Sequence, residues 1–376
     1  MRVAYIINSV EGGGAASPVP AVTRVLRDLG AQVRVFALTR RDGRALPAME
    51  AAGLRPLVRP GGRHDHVAAL RWLSHETHAW GATHLWTSLT RATVLGLLLG
   101  GRRGLPVFCW QHAAYLKTGN RLLLRAMQSR ARVWLADSQS VADLTARRLG
   151  VESARLLTWP IFAADGSAPV AQAWQPGETL RLGSLGRLHR VKGYDVLIRA
   201  LALLRQRGFH APVPYHITIA GDGAQRAALQ EQARAAGIDA LQLCGFADRP
   251  QEFLAGLHLY LQPSRSEGFC IAAHEAMVAG LPVLASAVGE MPHTLLDGVT
   301  GRVLPPGDPA ALADALQGLL SRPESLHEMG VAARRRALER YAPQRFNAAG
   351  AELFRRMVAA SAADRTTSPA HCDPGA

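Results

Sequence analysis

Short apolar runs alternate with longer amphipathic segments along most of this chain, and the series starts afresh once in the middle. A doubly wound parallel sheet needs that pattern, because each parallel strand requires a crossover helix to reach the next. Strands are expected at Val3 to Ser9, Gln32 to Leu38, Arg55 to Val58, Thr83 to Thr87, Val107 to Gln111 and Val133 to Asp137. The second series begins at Leu180 to Gly186 and continues through His216 to Ala220, Leu241 to Cys244, His258 to Gln262 and Val283 to Ser286. The stretch Ala163 to Thr179 has no periodicity and is rich in Ala, Pro, Gln and Gly, as an interdomain linker is. A chain of 376 residues exceeds one ordinary core and suits two domains. The expected division is 1–172, a linker at 173–179, and 180–343, followed by a helix at 344–360 and a disordered tail at 361–376.

Composition narrows the class. Net charge is +14, from 43 Lys and Arg against 29 Asp and Glu, which suits an anionic partner. Abundant Ala, Gly, Arg and Leu also fit a plain compositional bias, so charge alone selects no partner. Aromatics make up 6% and never alternate with basic residues as base-stacking surfaces do, so nucleic acid is not an expected partner. Cys109, Cys244, Cys270 and Cys372 show no paired spacing, which favours free thiols in a reducing compartment over disulfides or a zinc site. The start, Met1 to Asn8, reads as a first strand and not as a signal peptide. The apolar run at Val94 to Leu99 falls far short of the roughly 20 residues a membrane span needs. A cytoplasmic protein is expected.

Glu267 and Glu275 lie where the strand His258 to Gln262 hands over, through Pro263 to Ser266, to a helix expected over Gly268 to Ala279. Open α/β sheets bind ligands at such junctions. At about 100° per residue, eight residues along a helix put the second carboxylate about 80° round the axis and about two turns away. Amides of Gly268, Phe269 and Cys270 at the helix start offer an oxygen-binding site, and carboxylates accept from sugar hydroxyls. The pattern suits a polyhydroxylated, phosphorylated ligand, with two solvated surface carboxylates as the plain alternative. Retaining hydrolysis needs carboxyl groups ~5 Å apart, whereas helix rise would separate these by about 12 Å, so they are better ligand clamps than an acid and nucleophile pair. Arg187 and Lys192 occupy a glycine-bearing turn directly after the first strand of the second series, where both can reach a diphosphate. Fixed positive charge there would oppose the negative charge a leaving phosphate develops.

The segment from Glu267 to Glu275 resembles the Glu-x7-Glu signature of the family 4 retaining glycosyltransferases, which have the GT-B fold. The resemblance continues through Ala276 to Val283, Asp297-Gly298-Val299-Thr300-Gly301 and Pro305-Pro306-Gly307-Asp308. Upstream, Gly186 to Asp195 is similar to the family's phosphate-binding turn, and Ala220 to Gly223 and Cys244-Gly245-Phe246 to its nucleotide-side loops. It covers the C-terminal half strongly and the N-terminal half weakly.

This resemblance implies two Rossmann-like α/β domains facing across a cleft, with helix 344–360 crossing back to the first. It assigns Arg187 and Lys192 to the diphosphate, Glu275 to the ribose hydroxyls, and Glu267 with the Phe269 and Cys270 amides to the donor sugar. Gly245, Phe246 and Gly268 complete the donor side. Gly13 and Gly14, in Glu11-Gly12-Gly13-Gly14-Ala15, resemble the family's glycine loop near donor phosphate and acceptor. His112, in Cys109-Trp110-Gln111-His112, matches the histidine that touches the donor sugar, although a lone strand-end histidine is otherwise most often structural. Asp137-Ser138 reads as a helix cap first and a neighbour of the site second. Two departures stand out: Gly289-Glu290-Met291-Pro292-His293 replaces the usual glycine and proline-glutamate order, and Thr158-Trp159-Pro160-Ile161 lacks the usual Asn-Gly.

The expectation is a retaining, metal-independent hexosyltransferase without cofactor, taking a UDP-sugar in preference to a GDP-sugar. Its acceptor would be a hydroxyl of a cell-envelope glycan or lipid-linked saccharide, as in polysaccharide or lipopolysaccharide synthesis. The basic amphipathic stretch Arg121 to Arg130 could rest on an anionic inner membrane face, or be an ordinary helix. The alternatives are a relative that acts on a sugar nucleotide without transfer, of the hydrolysing epimerase type, and a non-catalytic basic protein binding membrane or nucleic acid.

Overall fold

The computed structural model describes residues 1–112 and 116–366, and contacts divide it into two compact units. The first comprises Met1–Ile161 with the chain from Gln344, the second Phe162–Pro343. In the first, strands β1 (Arg2–Ile7), β2 (Gln32–Ala37), β3 (Leu57–Val58), β4 (His84–Ser88), β5 (Val107–Gln111), β6 (Val133–Ala136) and β7 (Leu156–Thr158) form one sheet in the order β3-β2-β1-β4-β5-β6-β7. In the second, β8 (Leu180–Leu185), β9 (Tyr215–Ala220), β10 (Leu241–Gly245), β11 (Leu259–Gln262), β12 (Val283–Ser286) and β13 (Gly301–Leu304) run β10-β9-β8-β11-β12-β13. Every pairing of neighbours is parallel. Strand order reverses between β1 and β4 and again between β8 and β11, which leaves a crevice at the carboxyl ends of each pair.

Burial on both faces explains the near-continuous apolar strands: Val3 to Ile7, Leu85, Trp86 and Val107 to Trp110 are almost wholly enclosed. Trp110 packs against Trp86 and Trp159 with ring centroids 5.3 and 5.2 Å apart. The last helix, Pro343–Thr366, joins this core: Phe346 sits 5.2 Å from the Trp159 ring, and a Cβ at Gly350 would lie 2.6 Å from that indole.

Three expectations need revision. The unit boundary falls at Ile161 and Phe162 instead of within 173–179, because the supposed linker is bonded into the second unit: Ala164 donates to Tyr341, Ala171 to Ala279, and Arg334 to the Gly166 carbonyl at 2.7 Å. The edge strands β7 and β13 were not expected; each is short and bonds to a single neighbour, so the alternation that marks a strand scarcely develops. Residues 361–366 continue the last helix, since no Gly or Pro interrupts it there; the rest of the expected tail, 367–376, lies outside the described residues. No helix among the described residues is long and apolar enough to cross a membrane.

Candidate active site

The site begins with the turn that leaves β8. Gly186 and Leu188 donate to the carbonyls of Ala220 and Asp222, which ties the turn to the end of β9. A 3-10 turn at Arg190–Lys192 then ends on Gly193, whose φ of 69° lies in the left-handed region. A Cβ at Gly193 would stand 1.9 Å from the Pro263 carbonyl oxygen, so only glycine lets this turn press against the loop after β11. Across that contact Arg265 forks onto Asp195 at 2.5 and 2.7 Å and donates to the Arg190 carbonyl at 3.0 Å. The two turns flanking the switch point are thereby fastened together.

Within this frame Lys192 Nζ donates to Glu267 Oε1 at 2.8 Å. The same oxygen accepts from Ser264 Oγ at 2.6 Å and Gln262 Nε2 at 3.1 Å, and the Tyr260 hydroxyl donates to Gln262 at 3.0 Å. The side chains of Lys192 and Glu267 are 21% and 11% exposed. Burial by itself would lower the Lys192 pKa; the adjoining Glu267 carboxylate outweighs it and holds the ammonium well above its ordinary value. Arg187 is exposed and makes no ion pair or side-chain hydrogen bond among the described residues.

The helix that follows spans Ile271–Val278 and begins later than the sequence suggested. Cys270 stands just before it with φ 73° and ψ 56°, a left-handed conformation rare for a residue with a side chain, and the chain turns there. Glu267 therefore lies in the loop, and the angle inferred from helical spacing does not apply to it. The Gly268 carbonyl accepts from the Glu290 amide, and a Cβ at Gly289 (φ 57°) would lie 2.2 Å from that carbonyl oxygen. The amides of Gly268, Phe269 and Cys270 donate to no partner among the described residues. Glu275, one turn into the helix, is half-buried, its carboxyl makes no hydrogen bond among the described residues, and burial raises its pKa from the ordinary 4.5 to about 7.

A buried aromatic group supports the loop from behind. His274 receives Phe269 in a stack at 4.1 Å and lies 3.0 Å from the Cys270 carbonyl, 3.0 Å from Thr294 Oγ1 and 3.2 Å from the Tyr341 hydroxyl. Burial lowers its pKa to about 3, so it stays neutral. Gly245 and Phe246 stand at the end of β10, where the Gly245 carbonyl accepts from the Gly221 amide; Phe246 is exposed.

Gly13, Gly14 and His112 belong to the first unit. The Gly13 carbonyl accepts from Ala16 and Ser17 in the loop after β1, and Gly14 is exposed. His112 follows β5 with its ring buried; Nδ1 lies 2.9 Å from Asp137 Oδ1 and Nε2 lies 2.5 Å from Ser88 Oγ. Ser138 caps the next helix by accepting from the Val141 amide at 3.2 Å, so the expected cap is Ser138, and Asp137 faces His112.

The second unit thus carries Arg187, Lys192, Glu267 and the Gly268 to Cys270 amides on the turns that leave β8 and β11, with Glu275 one turn into the helix that follows. Cations and amides suit a diphosphate; carboxylates suit hydroxyls. Sequence reading missed Ser264 and Gln262, which hold Glu267 from within its own loop, and Asp195, Arg265, His274 and Tyr341, whose partners are distant in the chain. Among the described residues no group of three or more His, Cys, Asp and Glu stands together as a metal site.

Residues 172–336 match the family model described as glycosyl transferases group 1. Glycogen synthase of Mycobacterium tuberculosis is 32% identical over 233 residues, 61% of this chain and 51% of that protein. D-inositol 3-phosphate glycosyltransferase of Streptomyces coelicolor is 28% identical over 312 residues, 76% of this chain and 66% of that protein. The chain thus spans about half the length of the first of these relatives. Among solved structures, Anabaena HepE in complex with UDP and glucose superposes with a TM-score of 0.80 at 19% identity, covering 94% of this chain and 99% of that one. Sucrose-phosphate synthase from Thermosynechococcus elongatus gives 0.79 at 20%, covering 96% and 99%. Those two likenesses establish the fold, GT-B.

Proposed function

Because residues 172–336 match the glycosyl transferases group 1 family model and the fold is GT-B, we propose that this chain is a retaining glycosyltransferase. It moves a sugar from a UDP-sugar to a hydroxyl of a cell-envelope glycan or lipid-linked saccharide. The observation that carries the reading is the Lys192 and Glu267 pair at the second switch point, flanked on the same two turns by exposed Arg187 and by amides with no partner among the described residues.

In this reading Arg187, the two remaining N–H groups of Lys192 and the loop amides hold the diphosphate, Glu275 accepts from the ribose hydroxyls, and Glu267 faces the sugar. The bond from the anomeric carbon to the β-phosphate oxygen breaks, and charge builds on the diphosphate. Fixed cations lower that barrier without a metal. The acceptor hydroxyl attacks on the face the phosphate leaves, and its proton passes to the departing phosphate oxygen, which preserves the anomeric configuration. The first unit takes the acceptor side, with Gly13, Gly14 and His112 as its candidate substrate contacts.

A peripheral place on an anionic inner membrane face fits the helix Thr118–Met127, where Leu122 and Leu123 are 58% and 44% exposed beside Arg121 and Arg125. Product analysis tests the reading: UDP-, GDP- and ADP-sugars are supplied with and without glycan acceptors, and the new linkage is read by NMR. Acceptor-dependent transfer with retained configuration supports it. Release of free sugar or an epimer regardless of acceptor would favour the hydrolysing epimerase alternative.

A further inference from the structure

Ser88 ends β4, His112 follows β5 and Asp137 follows β6, so three adjacent strands deliver them to one carboxyl edge. The pairing of Ser88 with Trp110 and of Gln111 with Ala136 sets that register. The imidazole plane is fixed by a stack on Trp110, at 5.4 Å and 22°. Its rotation within that plane is fixed at both nitrogens: Nδ1 lies 2.9 and 3.1 Å from the two Asp137 oxygens, and Nε2 lies 2.5 Å from Ser88 Oγ. The His112 and Asp137 side chains are only 7% and 4% exposed. Leu89, directly after Ser88, holds φ 75°, a strained conformation for a side-chain residue and one more constraint at this corner. Burying a carboxylate is costly unless it is paired, and both oxygens of this one face the His112 ring.

We propose that Asp137 is a positioning residue for His112. An ionised carboxylate can only accept, so the proton of the neutral ring sits on Nδ1 and Nε2 is left as an acceptor. An acceptor at Nε2 is matched to a hydroxyl, and Ser88 Oγ–H is the hydroxyl the structure shows against it. The kinetic consequence rests on the transferase reading, in which a sugar hydroxyl takes the place of Ser88 Oγ at Nε2; the proton placement does not.

Long-range 1H–15N correlation of histidine-labelled protein between pH 6 and 8 reads the proton position directly. The wild type is expected to show His112 protonated on Nδ1 alone, and Asp137→Ala to show loss of that preference. With a donor and acceptor that support turnover, Asp137→Ala is expected to lower kcat tenfold or more while leaving the donor KM within twofold. If the alanine variant fails to fold, Asp137→Asn is read in the same way. A wild-type ring protonated on Nε2, or an Asp137 variant that keeps both the Nδ1 proton and kcat, overturns the proposal. Absence of transfer in the wild type with every donor would sink the transferase reading, while the spectra still decide this one.

Discussion

Lys192 Nζ lies 2.8 Å from Glu267 Oε1, and the pair bridges the two turns on either side of the reversal in strand order. The glutamate is held by Ser264 and Gln262, the lysine by a turn that only glycine at 193 permits. Because the pair is neutral, net attraction for a diphosphate falls to Arg187 and the loop amides, and Lys192 contributes N–H groups of fixed direction. Replacing Lys192 by Ala is expected to lower kcat about 10²- to 10³-fold, as for other lost donors to a developing anion. A double-mutant cycle with Glu267→Gln should show coupling of ~1–3 kcal/mol. Additive losses would mean that the two side chains act separately.

Glu275 makes the site pH-sensitive. Its pKa rises from 4.5 unfolded to about 7 folded because burial disfavours the carboxylate. The folded protein therefore holds more protons between those values, and the group's contribution to stability falls as pH rises from 4.5 to 7, by at most about 3 kcal/mol. Denaturant titrations at pH 5 and 8 should show this loss in the wild type and not in Glu275→Gln. Affinity for UDP should move the opposite way, strengthening toward pH 8 as the carboxylate becomes available to ribose hydroxyls. Pairs of curves with equal slopes would place Glu275 outside the site.

Gly193→Ala combines a left-handed backbone with a Cβ driven into the Pro263 carbonyl. The cost should reach ~3 kcal/mol or more, and the Arg190–Lys192 turn should become protease-sensitive. Neutral stability by urea unfolding would show that the turn and the β11 loop are not in contact.

Leu122→Ser with Leu123→Ser should weaken sedimentation with anionic vesicles several-fold, and raised salt should weaken that of the wild type. Equal sedimentation of both proteins with anionic vesicles, or none by the wild type at low salt, would remove the membrane assignment.

Much of this was legible in the sequence. The central strands announced themselves because burial on both faces makes them continuously apolar, and Arg187, Lys192 and Glu267 stood in turns, with Glu275 at ordered spacing on the helix that follows. Local pattern carried no sign of the helix starting only at Ile271, because the break depends on Cys270 adopting a positive φ under the Gly268 to Glu290 contact. The supporting residues were hidden for a related reason. Arg265 meets Asp195, and His274 meets Tyr341, only after strands far apart in sequence are paired. One signal was available: Lys117 and Lys192 are the only lysines in a chain that otherwise uses arginine, and Lys192 sits in the site.

Isothermal titration of UDP, GDP and ADP into the wild type and Arg187→Ala tests the central claim most directly. Arg187 is exposed and makes no side-chain hydrogen bond or ion pair among the described residues, so its loss should spare the fold. At least one nucleoside diphosphate is expected to bind the wild type, and to bind Arg187→Ala at least tenfold more weakly. No binding of any of the three, or equal binding by both proteins, would contradict it.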